Sequence, residues 1–147
     1  MTTSNGSVLE YRLSAELTAI AGLAEAVTAF LAAWPHLAMQ VNLCLDELLT
    51  NTITHGLKGE PGHEIRVGLA LAGGWLEIAI TDDAPAFDPF AEVPEPDLEA
   101  ELDARTPGGL GVHFVRSLMD DYRVVREGGH NRVLLRKQLP DGAPAPH

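Results

Sequence analysis

The sequence predicts an α+β fold: a two-layer α/β sandwich in which a mixed, mostly antiparallel sheet carries helices on one face. Three observations predict it. Strand-like and helix-like stretches do not alternate one for one, as a doubly wound parallel fold requires; the order reads β-α-α-β-β-loop-α-β-β. Gly73-Gly74 and Gly128-Gly129 each separate two strand-like runs, which is the signature of tight antiparallel hairpins. The two long stretches with helical periodicity follow one another near the start, which clusters helices rather than interleaving them with strands.

Each element has its own warrant. Residues 8–13 alternate Val8, Glu10 and Arg12 against Leu9, Tyr11 and Leu13, as a strand does. Ser14 is a candidate N-cap, because Leu17, Ile20, Ala21, Ala24 and Val27 then follow a helical period that Trp34-Pro35 should close. A second helix is expected over 37–57, ended by Gly56, Gly59, Pro61 and Gly62. Strands are expected at 64–71, 75–81, 122–127 and 132–138, and a helix at 110–119. Between them, residues 84–107 include Pro85, Pro89, Pro94, Pro96 and Pro107; a proline-rich connection of that length reads as a functional lid. Residues 1–7 and 140–147 are expected to be flexible ends of a single 147-residue domain.

Composition narrows the function. Hydrophobic residues make up 46% of the chain, enough for a folded core. The net charge of −11 argues against direct contact with nucleic acid or an anionic membrane. No apolar run approaches the ~20 residues of a membrane span, and the start has no signal-like stretch, so a cytoplasmic protein is expected. The single cysteine, Cys44, excludes an internal disulfide and reads as a buried thiol. Glu92, Glu95, Asp97, Glu99, Glu101 and Asp103 crowd one stretch, which is either a solvated face or a surface for a basic partner.

Three constellations carry chemistry. Glu47, Asn51 and His55 stand four residues apart within an apolar helical pattern, so they fall near one helix face. A carboxylate and an amide so aligned suit proton transfer and a hard cation such as Mg2+. Asp82, in Asp82-Asp83-Ala84-Pro85-Ala86, ends a strand, where its carboxylate can accept a hydrogen bond from the exocyclic amine of a purine; acids are also common in turns for conformational reasons. Gly108-Gly109-Leu110-Gly111 opens a helix, where bare backbone N–H groups and the helix dipole favour an anion; a simple hinge has the same look. Arg105 lies just ahead of it and could reach a terminal phosphate.

Taken together and in this order, the three motifs resemble the GHKL (Bergerat-fold) ATP-binding family. Glu47-x-x-x-Asn51 resembles its N-box, Asp82 with Ala84 and Ala86 its first glycine box, and Gly108-Gly109-Leu110-Gly111 its second. Phe87-Asp88-Pro89 and the run Gly109 to Arg116 are similar to the anti-sigma-factor serine/threonine kinases of the RsbW and SpoIIAB type. The resemblance implies that Asn51 holds Mg2+ on ATP and that Glu47 is the general base. It implies that Asp82 recognises adenine and that Gly108, Gly109 and Gly111 cradle phosphates. His55 would take a structural or phosphate-side role. The implied partners are a sigma factor and a STAS-domain anti-anti-sigma protein, and the implied assembly is a homodimer. An ATP-gated binding module without kinase activity remains the alternative. Two departures stand out. Ala84 and Ala86 replace glycines, and Leu134 occupies the late-strand region where relatives often carry threonine, leaving adenine to Asp82 and bound water.

Overall fold

The computed structural model describes residues 7–86 and 109–140, with side chains of the last helix described from Phe114 onward. Strand β1 (Val8–Ser14) is followed by a 3-10 turn (Leu17–Ala19), helix α1 (Ile20–Phe30) and helix α2 (Pro35–Asn51), which runs on into a π-helical turn (Thr52–Gly56). Then come β2 (Glu64–Ala72), β3 (Trp75–Asp82), α3 (Gly109–Leu118), β4 (Asp121–Glu127) and β5 (His130–Gln138). The five strands form one sheet in the order β1-β2-β3-β5-β4.

All four ladders are antiparallel, so the expected mixed sheet is corrected. The reason lies in the topology. β3 and β4 run the same way and are joined by a crossover that includes α3, but β5 folds back between them and pairs with both. Both hairpins turn on the expected glycine pairs. Gly73, Gly74, Gly128 and Gly129 have φ of +59°, +82°, +59° and +81°, the left-handed conformation that a two-residue turn requires at both positions.

Ser14 caps no helix. It is the last paired residue of β1, opposite Glu64, and its Oγ donates to Glu16 Oε2 at 3.0 Å. The ladder holds its backbone extended, so the helical path starts only with the 3-10 turn after Glu16. Pro35 does not close α1 but opens α2, at a first-turn position where its missing N–H is no loss.

The sheet has a covered and an open face. In β2, β3 and β5 alternate side chains are buried: Ile65, Val67, Leu69 and Leu71; Leu76, Ile78 and Ile80; Val133 and Leu135. Against them pack the apolar faces of α1 (Ile20, Leu23, Val27) and α2 (Leu37, Val41, Cys44, Leu45, Leu48). Those residues recur every three or four positions, as one helix face must. Each leucine buried there contributes about 1.5–3 kcal/mol. α2 packs against both α1 and α3. Among the described residues no helix is long and apolar enough to cross a membrane.

Cys44 is wholly buried, and burial pushes its thiol up to about 11, with the charge of Lys137 offsetting part of that rise. The thiolate is the reactive form. Alkylation of the folded protein by iodoacetamide, followed by mass spectrometry, should therefore run roughly 100-fold slower than after denaturation.

Candidate functional site

Helix α2 sets the first half of the site. Its apolar residues lock one face onto the sheet, which fixes the rotation of the helix and hence the direction of Glu47 and Asn51. Glu47 is half-buried on the flank of that face. Its carboxyl is held above the usual carboxylate range, chiefly by loss of water around it and then by the charge of exposed Asp46. One turn on, Asn51 is 1% exposed, and its Nδ2 has no hydrogen-bond partner. The indole N–H of Trp34 is the other such buried polar atom among the described residues. An unpaired buried amide costs about 1–3 kcal/mol, so it marks a place where a ligand could supply the missing partner.

His55 lies in the π-helical turn and is exposed, unlike Asn51. The wide turn is closed by Leu57 N–H donating to Thr52 O at 2.7 Å. Such turns are frequent at functional sites.

Asp82 sets the second half, at the end of β3. It is 4% exposed, with Oδ1 accepting the N–H of Ala84 at 2.9 Å and Nδ2–H of Asn131 at 3.0 Å. The first of these makes an Asx turn that bends the chain out of the strand. Ala84 is fully buried inside the turn, whereas Ala86 is exposed. A side chain as small as alanine fits where the resemblance expects glycine, because this turn is shaped by hydrogen bonds from the side chains around it.

Those bonds come from two residues that sequence reasoning missed. Asn131 is 3% exposed and stands directly across the ladder from Asp82. Its Nδ2 reaches Asp82 Oδ1, Ala84 O at 3.2 Å and Pro85 O at 3.1 Å. Arg126 donates from Nη1 to Ala84 O at 2.6 Å and to Asn131 Oδ1 at 3.0 Å. A signal for Asn131 did exist. It shares parity with Val133 and Leu135, so in a strand it must face the core side. The same parity corrects Leu134, which pairs with Ala79 and lies on the open face, away from Asp82.

A clasp sits beside this turn. His63 Nε2 bonds Glu60 Oε1, and Nδ1 bonds Asp83 Oδ1, both at 2.8 Å. The bond to Glu60 first, and that to Asp83 second, raise the imidazole above its ordinary range. The clasp is therefore fully made in acid and weakens as pH rises through the raised value.

Gly109 opens α3, and α3 packs beside α2, the helix that carries Glu47 and Asn51. Gly109, Leu110 and Gly111 form the first turn of that helix. Gly108, Arg105, the acid-rich stretch and the rest of the expected lid beyond Ala86 lie outside the described residues. No cluster of three His, Cys, Asp or Glu suited to a metal occurs among the described residues.

The sequence model of the histidine kinase-like ATPase domain matches residues 13–137. Over 110 residues the chain is 27% identical to the serine-protein kinase RsbW of Listeria monocytogenes, covering 70% of each. Over 101 residues it is 33% identical to the serine/threonine-protein kinase BtrW of Bordetella bronchiseptica, covering 67% of this chain and 69% of that one. Among solved structures, the RsbU and RsbW domains of a Mycobacterium tuberculosis protein superpose with a TM-score of 0.59 at 17% identity, covering 95% of this chain and 33% of the other. A histidine kinase domain from Erythrobacter litoralis gives 0.53 at 18%, covering 84% and 60%. This chain spans less than two thirds of either structure, and the likeness is one of fold. The order of motifs, the sheet with helices on one face and the matched span agree: the chain belongs to the histidine kinase-like ATPase domain (GHKL) family.

Proposed function

We propose that this chain is an ATP-dependent serine/threonine protein kinase acting as an anti-sigma factor, which binds a sigma factor and phosphorylates a STAS-type anti-anti-sigma protein. The observation that carries this reading is the pair on α2: a half-buried, easily protonated Glu47 one turn ahead of a buried Asn51 amide with an unpaired N–H. The relatives named as serine or serine/threonine kinases support the same class. The reading takes the protein to be cytoplasmic, to work as a homodimer and to bind no nucleic acid.

In this reading Asp82 accepts the exocyclic amine of adenine on Oδ2, since both hydrogen bonds described for its carboxylate land on Oδ1. Asn51 would hold Mg2+ through Oδ1, and its unpaired Nδ2–H could donate to a phosphate oxygen. Gly108, Gly109, Leu110 and Gly111 offer backbone N–H groups to the phosphates, and Arg105 and His55 take phosphate-binding roles. When bound, the metal supplies charge neutralisation on the phosphates. Glu47 accepts the proton of the incoming Ser or Thr hydroxyl. The new O–P bond then forms as the bond from the γ-phosphorus to the β–γ bridging oxygen breaks, and ADP leaves.

Transfer of label from [γ-32P]ATP to a cognate STAS protein tests the reading. If calorimetry shows ATP binding and partner affinity follows the nucleotide, yet no label moves, the chain is an ATP-gated binder instead. Asp82→Asn checks the adenine contact. It keeps the Oδ1 acceptor that shapes the turn but removes the second acceptor, so the thermal midpoint should hold while ATP affinity falls about 10- to 100-fold by calorimetry.

A further inference from the structure

The two halves of the site sit on different segments of the chain, and one side-chain link joins them. Glu47 and Asn51 lie on α2, which runs through the π-helical turn into the loop of residues 57–62, whereas Asp82 ends β3. His63 follows that loop. Its Nδ1 bonds Oδ1 of Asp83, the chain neighbour of Asp82, and its Nε2 bonds Oε1 of Glu60 within the loop, both at 2.8 Å. Among the described residues no other side-chain hydrogen bond runs from residues 35–63 to residues 75–86. The loop does not need this side chain to hold its own path. Gly59 N–H donates to Ile53 O, Glu60 N–H to Leu57 O and Ala15 N–H to His63 O, each at 2.9 Å. What the imidazole adds is the attachment of Asp83 to a post that the backbone has already fixed. Asp82 is buried and braced from β5 by Asn131; Asp83 is exposed and braced from the loop by His63.

The contact demands a charged ring. A carboxylate only accepts hydrogen bonds, and a neutral imidazole has a single N–H. Both ring nitrogens face carboxylate oxygens, so both must carry hydrogen. Loss of the proton turns one of the two bonds into a contact between lone pairs. Other charged groups stand near: Lys58 in the loop, and Arg12, Glu64, Arg66, Asp82 and His130 around the depression that Gly62 and Asp83 share. None of them bonds the ring, so Glu60 and Asp83 decide its charge. We infer that His63 is a positioning residue for the nucleotide: its imidazolium ties the Asp82–Asp83 turn to the loop behind the Glu47–Asn51 helix, and frees the turn when the proton is lost. This rests on the ATP reading above, in which one ligand touches Asp82 with its base and Asn51 with its phosphates. Such a ligand spans both segments, and it binds most tightly when their separation is fixed beforehand. Because Glu60 and then Asp83 raise the ring, affinity is highest in acid and falls as pH rises through and above the ordinary imidazole range.

Calorimetric titration of the full chain with Mg-ATP between about pH 6 and pH 9 tests this. Parent and His63→Gln are compared at each pH, so that titration of the nucleotide and of groups common to both proteins cancels. The parent should bind about 3- to 10-fold more tightly than the variant at pH 6, and the two should converge to within about twofold at pH 9. Asp83→Ala separates positioning from simple attraction by its sign. If the imidazolium acted only through its charge, removing an acid beside a polyanion would tighten binding. If it positions the turn, Asp83→Ala should weaken binding at pH 6 to about the level of His63→Gln. A parent-to-variant ratio that is the same at every pH, or tighter binding by Asp83→Ala, overturns the role of His63 and leaves the ATP reading standing. A parent that binds no Mg-ATP at any pH removes the ATP reading, and the role of His63 falls with it.

Discussion

Glu47→Gln should lower phosphoryl transfer about 100- to 10,000-fold while leaving ATP affinity within roughly twofold, which is the signature of a lost general base. The amide keeps the shape of the carboxyl but cannot take the hydroxyl proton. The parent enzyme should show an acid limb in its transfer rate, with activity rising as Glu47 ionises. That limb should lie above the ordinary carboxylate range, because burial and then Asp46 raise the group. Asp46→Asn removes only the lesser cause, so it should move the limb down without restoring an ordinary value. The same shift fixes the sign of a stability effect. The folded protein holds this proton more tightly than the unfolded chain, so stability from this group falls as pH rises through the carboxylate range. At neutral pH the glutamine variant should therefore melt no lower than the parent. Radiolabel transfer across pH and calorimetric melting check both; equal transfer rates in variant and parent would remove Glu47 from the chemistry.

Asn131→Ala should cost about 2–4 kcal/mol and lower the thermal midpoint by roughly 6–15 °C. One buried amide supports Asp82, Ala84 and Pro85, and it positions Arg126 through its own oxygen. Truncation strands the Pro85 carbonyl, leaves Ala84 O to Arg126 alone and removes a donor from a buried carboxylate. Asn131→Asp should be worse near neutral pH, since it sets a second carboxylate within about 3 Å of Asp82, and it should recover partly in acid as one of the pair protonates. Arg126→Ala should be milder, because Asn131 still reaches Ala84 O. Thermal melts with parallel ATP titrations would decide. An Asn131→Ala protein that melts with the parent and binds ATP as well would show that the turn holds itself.

Most elements could be read from local rules. The Gly-Gly pairs located both hairpins because only a left-handed pair closes so tight a turn. The 3.6-residue period located α2 and put Glu47 and Asn51 on it. What escaped was lateral. Nothing within β5 says that it inserts between β3 and β4, so the purely antiparallel sheet could not be read from the strands one at a time. Asn131 escaped for a related reason: its parity puts it on the core side, but only the pairing with Asp82 shows what a polar side chain does there. Ser14 failed as a cap because its strand pairing outweighed a local preference. His55 was grouped with Asn51 by spacing alone, yet one is exposed and the other buried.

The place of β5 in the sheet bears on when the protein comes to life during synthesis. A ribosome releases the chain from its N-terminus, and the helices with the first three strands can begin to assemble at once. The strand that completes the centre of the sheet, and brings Asn131 to the Asp82 turn, is the last to emerge. A nascent or prematurely terminated chain therefore lacks the brace of its Asp82 turn and leaves the edge of β3 unpaired. The turn is complete only once β5 has joined the sheet, so a half-made copy exposes an unpaired strand edge to the cell.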